Sequence, residues 1–216
     1  MAKLEFFFDV SSPWTYLAFD RIEALAARTG AELVWKPFLV GGVFNKVNPS
    51  VYQRRENPIP AKDEHYRKTM QDWAAYQGIT FGPRTVFPLN SVKALRGAFV
   101  AINEGKIADY ARGCFKAYWT DDKDISQEAE LRAVVEGAGM DWDSFSAAIQ
   151  TDEIKQMLFT NTDEIIERGG GGDRVDVLRG DRDPVARHRG IARLAVRKCP
   201  RIGPADEGIG INIALL

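Results

Sequence analysis

The chain has 216 residues, enough for one well-cored domain or a small domain carrying a large insertion. Hydrophobic residues make up 45% and charged residues 27%, and the formal net charge of −1 offers no electrostatic basis for nucleic acid or an anionic membrane as partner. No run of about 18 apolar residues occurs, and Cys114 and Cys199 lie far apart without a CxxC, so a transmembrane helix, a disulfide framework and a zinc site are not expected and a cytoplasmic location is the default.

The first nine residues hold an apolar run of three followed by an acid, which is not the pattern of a secretory leader. Residues 4–8 read as a buried strand ended by Asp9. Ser11-Ser12-Pro13 then starts a helix, because serine caps helices and proline suits their first turn. Trp14, Leu17, Ala18, Ile22 and Leu25 share one helical face, and Gly30 is its stop. Residues 31–37 read as a second strand, so the opening is strand–helix–strand with a parallel pair. Residues 39–60, with Gly41-Gly42, several asparagines and prolines, read as loop.

Helices are predicted over 63–77, 91–104, 107–119, 126–138, 141–150 and 151–168, most with a capping residue and each with an apolar stripe. Cys114 falls on such a stripe and reads as core. His65 and His188, the only histidines, have no metal-ligand spacing and read as surface residues. The last 48 residues differ: all 23 aromatic residues precede Gly169, while this tail holds nine of the 19 glycines and eight arginines. Few large side chains remain there to offset conformational entropy, so most of the tail is expected to be poorly ordered.

Ser12 stands where a strand's carboxyl end meets a helix's amino end. Free amides and the positive end of the dipole make such a point suited to an anion or thiolate. A hydroxyl there can donate to a bound sulfur and lower the thiol's pKa. By local sequence alone, Ser12 reads equally as a helix cap. Lys46 and Lys62 read equally as solvated lysines, Asn48 and Asn57 as turn residues, and Asn90 as a cap.

Phe8-Asp9-Val10-Ser11-Ser12-Pro13-Trp14-Thr15-Tyr16-Leu17-Ala18 resembles the F-D-x-x-S-P-[YFW]-x-Y-L-A pattern of 2-hydroxychromene-2-carboxylate isomerases, relatives of kappa-class glutathione transferases and of DsbA-type oxidoreductases. Leu39-Val40-Gly41-Gly42-Val43-Phe44, Pro58-Ile59-Pro60-Ala61-Lys62, Phe87-Pro88-Leu89-Asn90-Ser91 and Asn161-Thr162-Asp163-Glu164 with Arg168 resemble later motifs of that family, in the family's order. The family's D-x-x-R stretch is matched at Asp72, but Trp73, Ala74 and Ala75 follow and its arginine is replaced. The resemblance implies an α/β thioredoxin-like βαβ domain with a large all-helical insertion. It divides the chain into 1–60, the first part of that domain, 61–150, the insertion, and 151–216, a return helix and the atypical tail.

By the same resemblance the activity is a glutathione-dependent isomerisation of an aromatic carboxylate, with glutathione as cofactor. Ser12 is implied as the catalytic residue steadying the glutathione thiolate, with Lys62 and Asn57 also on the cofactor and Lys46, Asn48 and Asn90 on the substrate. A homodimer is implied as well. The alternatives are a kappa-like transferase or peroxidase and, if the tail is genuine, a non-catalytic thioredoxin-like binding module.

The resemblance stops after Arg168, where the family carries a cis-proline loop, two antiparallel strands and a last helix. A shift of reading frame from about residue 170 accounts for the change: codons for Val175 to Gly180 read one nucleotide later can yield Thr or Met, Phe, Phe and Val, the sequence of a strand. The nucleotide sequence across codons 168–185 is expected to show a frame interruption, and an uninterrupted frame with no near-match to the family's ending defeats this explanation.

Overall fold

Three consecutive phenylalanines organise the middle of the molecule. Phe6, Phe7 and Phe8 end strand β1 (Lys3–Phe8), and all three are fully buried. Neighbouring strand side chains face opposite ways. Phe6 and Phe8 therefore enter one cluster with Phe19 and Ile22, while Phe7 meets Phe38, Val43 and Ile165 on the other side. An unbroken apolar run is what a strand covered on both faces requires. The computed structural model describes residues 2–170 and the backbone of 177–179.

Helix α1 (Pro13–Thr29) follows, with Ser12 as its cap and Gly30 ending it at φ 63°. Strand β2 (Glu32–Pro37) pairs parallel to β1, from Lys3 opposite Glu32 to Phe8 opposite Pro37. The βαβ opening read from the sequence is therefore present. The predicted loop over 39–60 is not: it holds helices α2 (Val40–Val47) and α3 (Ser50–Glu56). Glycine is a poor helix former, yet Gly42 lies so close to Thr162 that a Cβ would stand 3.1 Å from its methyl group. Burial of Val43 against Phe7, Phe38 and Ile165 outweighs the weak local propensity of α2.

The helical block comprises α4 (Pro60–Gln77), α5 (Val92–Asn103), α6 (Ile107–Phe115), α7 (Glu128–Gly137), α8 (Trp142–Ala148) and α9 (Asp152–Glu167). One predicted helix, 107–119, changes character at its end, where Lys116–Thr120 is π-helical. That wider turn buries the adjacent rings of Tyr118 and Trp119 together, and such bulges often mark functional regions. The core is tight where the helices meet: a Cβ on Gly97 would collide with the Phe145 ring and the Tyr110 hydroxyl. Cys114 is fully buried there, and burial pushes its thiol up to about 12, so it is packing material rather than a nucleophile.

The motif at the end of the helical block serves the fold. Asn161 donates through Nδ2 to the Pro37 carbonyl (2.9 Å), and the Thr162 hydroxyl accepts from the Leu39 amide (3.0 Å) while donating to the Leu158 carbonyl. Glu164 accepts from Lys36 (2.9 Å) and Arg168 (2.7 Å), and Arg168 reaches on to Glu5 (2.8 Å). Burial pushes the Glu164 carboxyl up, but these two cations hold it below its ordinary value. Together these bonds lash α9 to β2 and β1.

The tail is expected to lack a strand, but Val177–Arg179 forms β3, antiparallel to β1 on the edge away from β2. Unpaired backbone groups on the β1 edge accept such a segment through main-chain bonds alone, which need no aromatic side chains. The other readings for this tail, including its disorder, its frame, Cys199 and His188, lie outside the described residues.

Candidate functional site at the head of the first helix

The chain turns sharply between β1 and α1, and four bonds pin the turn. The Ser12 amide donates to the Asp9 carbonyl (3.0 Å), and the Ser11 amide donates to Asp9 Oδ1 (2.8 Å). Trp119 Nε1 donates to the Val10 carbonyl (2.9 Å), and Ser12 Oγ accepts from the Thr15 amide (3.3 Å). A hydroxyl has one proton to donate and two lone pairs to accept with. Capping uses a lone pair, so the Ser12 proton remains available to a ligand, and the residue is only half-buried. The cap reading and the thiolate reading are therefore compatible.

Asp9 is the residue that the sequence reading missed. It reads there as a strand terminator, yet it is fully buried, and its two oxygens accept from the Ser11 and Val40 amides (2.8 and 2.9 Å). Burial pushes its pKa above the ordinary carboxyl value, against the pull of those amides and of hydrogen bonding with the Ser11 and Ser91 side chains. Asp9 thus ties the head of α1 to the start of α2 and to Ser91, itself buried before α5. The available signal was an acid placed directly after three buried phenylalanines, a position where an unpartnered carboxylate is costly.

Asn90 precedes Ser91, whose side chain hydrogen-bonds Asp9, and the Asn90 Oδ1 itself accepts from the Val92 amide (3.3 Å). Lys46, late in α2, pairs with Asp163 of α9 at 2.5 Å. Asn48 follows α2 and its Oδ1 accepts from the Ser50 hydroxyl (2.7 Å). Asn57 is the C-cap of α3, and its amide donates to Gln53 (2.9 Å). Lys62 is exposed in the first turn of α4 and belongs to no ion pair among the described residues. No hydrogen bond or ion pair among the described residues joins Lys46, Asn57 or Lys62 to Ser12. His65 is exposed on α4, as expected.

One further contact links α1 to α4. Trp14 Nε1, two residues beyond Ser12, donates to the Tyr66 hydroxyl (2.8 Å), with the rings edge to face. Among the described residues no cluster of histidine, cysteine and acidic side chains has the arrangement of a metal site, and no helix is long and apolar enough to cross a membrane.

Comparison with known proteins agrees with this architecture. Glutathione S-transferase kappa 2 of Caenorhabditis elegans is 28% identical over 175 residues, covering 77% of this chain and 76% of that protein. The 2-hydroxychromene-2-carboxylate isomerase of Pseudomonas putida is 26% identical over 170 residues, covering 76% and 79%. A solved 2-hydroxychromene-2-carboxylate isomerase superposes with a TM-score of 0.63 at 23% identity, over 78% of this chain and 81% of that one. The model of the DSBA-like thioredoxin domain matches residues 3–172, most of the chain, and the protein belongs to that family.

Proposed function

We propose that the protein is a glutathione-dependent isomerase acting on an aromatic carboxylate. The observation that carries this reading is the Ser12 hydroxyl, half-exposed at the amino end of a 17-residue helix with its proton uncommitted. Backbone dipole and hydroxyl act together on an anion at that tip. A glutathione thiolate held there forms a carbon–sulfur bond to an unsaturated carbon conjugated with the substrate's carbonyl. The displaced electron pair moves onto the carbonyl oxygen as an enolate. The former double bond, now single, rotates; collapse of the enolate then re-forms the double bond and expels the thiolate unchanged. Lys62 and Asn57 belong to the cofactor side of this proposal, and Lys46, Asn48 and Asn90 to the substrate side. Lys62 opposes the helix dipole in the first turn of α4, a placement that a bound anion would offset. A homodimer in the cytoplasm completes the proposal.

The kappa-class relative favours a second reading, in which the thiolate adduct is released as product rather than reversed. Titration calorimetry with glutathione, followed by assays with 2-hydroxychromene-2-carboxylate and with chlorodinitrobenzene, separates the cases. Glutathione-dependent turnover of the first substrate is expected. Turnover of chlorodinitrobenzene alone means a transferase, and no glutathione retained at millimolar concentration leaves a non-catalytic binding module.

A further inference from the structure

Two guanidinium groups lie against one exposed phenylalanine. Arg55, in the last turn of α3, lies 5.2 Å from the centre of the Phe87 ring and also faces Tyr52 (5.8 Å) and Phe44 (6.0 Å). Arg84 approaches Phe87 within 5.8 Å. Neither arginine, nor the neighbouring Arg54, belongs to an ion pair among the described residues. Two cations on one ring, with no carboxylate in ion-pair contact among the described residues, leave mutual repulsion that an arriving anion relieves.

The Arg84 side of this arrangement is anchored by the fold. Arg84 has φ 60°, a left-handed conformation that residues other than glycine seldom adopt. It is held there by three anchors: the Thr85 amide on Asp122 (2.8 Å), the Tyr118 hydroxyl on the Val86 carbonyl (2.8 Å) and the Gly82 amide on the Trp119 carbonyl (2.7 Å). Arg84 also borders an open cleft of about 550 Å³ between α4 and residues 78–84, so solutes reach it. Phe87 is 50% exposed, with the two guanidinium groups against its ring. Proximity to the catalytic turn comes through Tyr66: its hydroxyl accepts from Trp14, and its pKa, pushed up by burial, is pulled back by that bond and then by Arg84, Arg54 and Arg55. The commonplace role for Arg55, complementing the end of the α3 dipole, leaves Arg84 unexplained.

We infer that Arg55 and Arg84 form a carboxylate clamp across the half-exposed Phe87, so that the pair selects an aromatic acid over its uncharged analogues. This deepens the isomerase reading and rests on it for the identity of the reaction, but the clamp is testable without turnover. Carboxylates bind guanidinium through charge-assisted, frequently paired hydrogen bonds, and an aromatic ring adds stacking. Glutathione also carries carboxylates, so the cofactor is the competing occupant.

The test uses the full chain and binding of 2-hydroxychromene-2-carboxylate by tryptophan fluorescence, without glutathione, beside calorimetry with glutathione alone. Arg55→Gln and Arg84→Gln are each expected to weaken the aromatic acid about tenfold or more, and the double variant further, while glutathione affinity stays within about twofold. The wild type is expected to prefer the acid over its methyl ester, and the variants to lose that preference, which misfolding would not produce selectively. Unchanged affinity for the acid overturns the clamp, as does weakened glutathione with an unaltered acid. Arginine-dependent binding of the acid in a protein that does not turn it over keeps the clamp and sinks the isomerase; turnover with KM indifferent to both arginines does the reverse.

Discussion

Ser12→Ala is expected to slow glutathione-dependent turnover by about a hundredfold or more near pH 7, the scale on which one hydrogen-bond donor aimed at a reacting anion contributes. The substitution removes two things. The first is the proton that, on the proposed mechanism, Ser12 offers to the sulfur to hold the bound thiol's pKa down. The second is the cap on the Thr15 amide at 3.3 Å, worth about 1 kcal/mol, so the melting temperature should fall by only about 2–4 °C. The pH profile distinguishes them. Without the hydroxyl the thiol ionises at higher pH, so the deficit should shrink in alkaline buffer, where bulk hydroxide does what Ser12 did. A loss of cap alone would not vary with pH in that way. Rates for both proteins between pH 6 and 9, with circular dichroism as the fold control, give the answer; equal turnover removes Ser12 from the mechanism.

Asp9→Ala carries the largest expected cost in stability, about 2–4 kcal/mol. It leaves the Ser11 and Val40 amides without their acceptors, and an orphaned buried donor costs about 1–3 kcal/mol. The loss depends on pH in a definite direction. Burial raises the native pKa of Asp9 above its ordinary 3.8. Below that ordinary value the carboxyl is protonated folded and unfolded alike, and its contribution is at full size. As pH climbs through the raised native value, the folded state must accept a buried charge, and the contribution shrinks. Urea unfolding of both proteins at pH 4 and pH 8 should therefore show a wider gap at the lower pH. A gap that widens toward pH 8 would mean that the amides outweigh burial and that Asp9 is ionised comfortably. Asp9→Asn should fall between, since its single carbonyl serves only one of the two amides.

Much of this molecule follows from local rules that a chain cannot hide. Phe6, Phe7 and Phe8 mark a strand buried on both faces, Ser12 and Pro13 mark a helix start, and Gly30 marks a helix end at φ 63°. Side-chain period and capping chemistry act between neighbours, so they leave a trace in the order of residues. The motif around Ser12 and its ordered companions likewise sufficed for the family. The glycines of α2 misled for the same reason: their poor local propensity was legible, but the burial of Val43 that overrides it was not.

What only the tertiary structure decided are the meetings of residues distant in sequence. Asp9 bonds Val40, 31 positions on, and Trp119 bonds Val10 across 109. Asn161 turned out to hold Pro37, and Lys46 to hold Asp163. Arg55 and Arg84 share Phe87 although 29 positions separate the two arginines. Such encounters are set by how helices stack on the sheet, and no periodicity along the chain records which faces will touch.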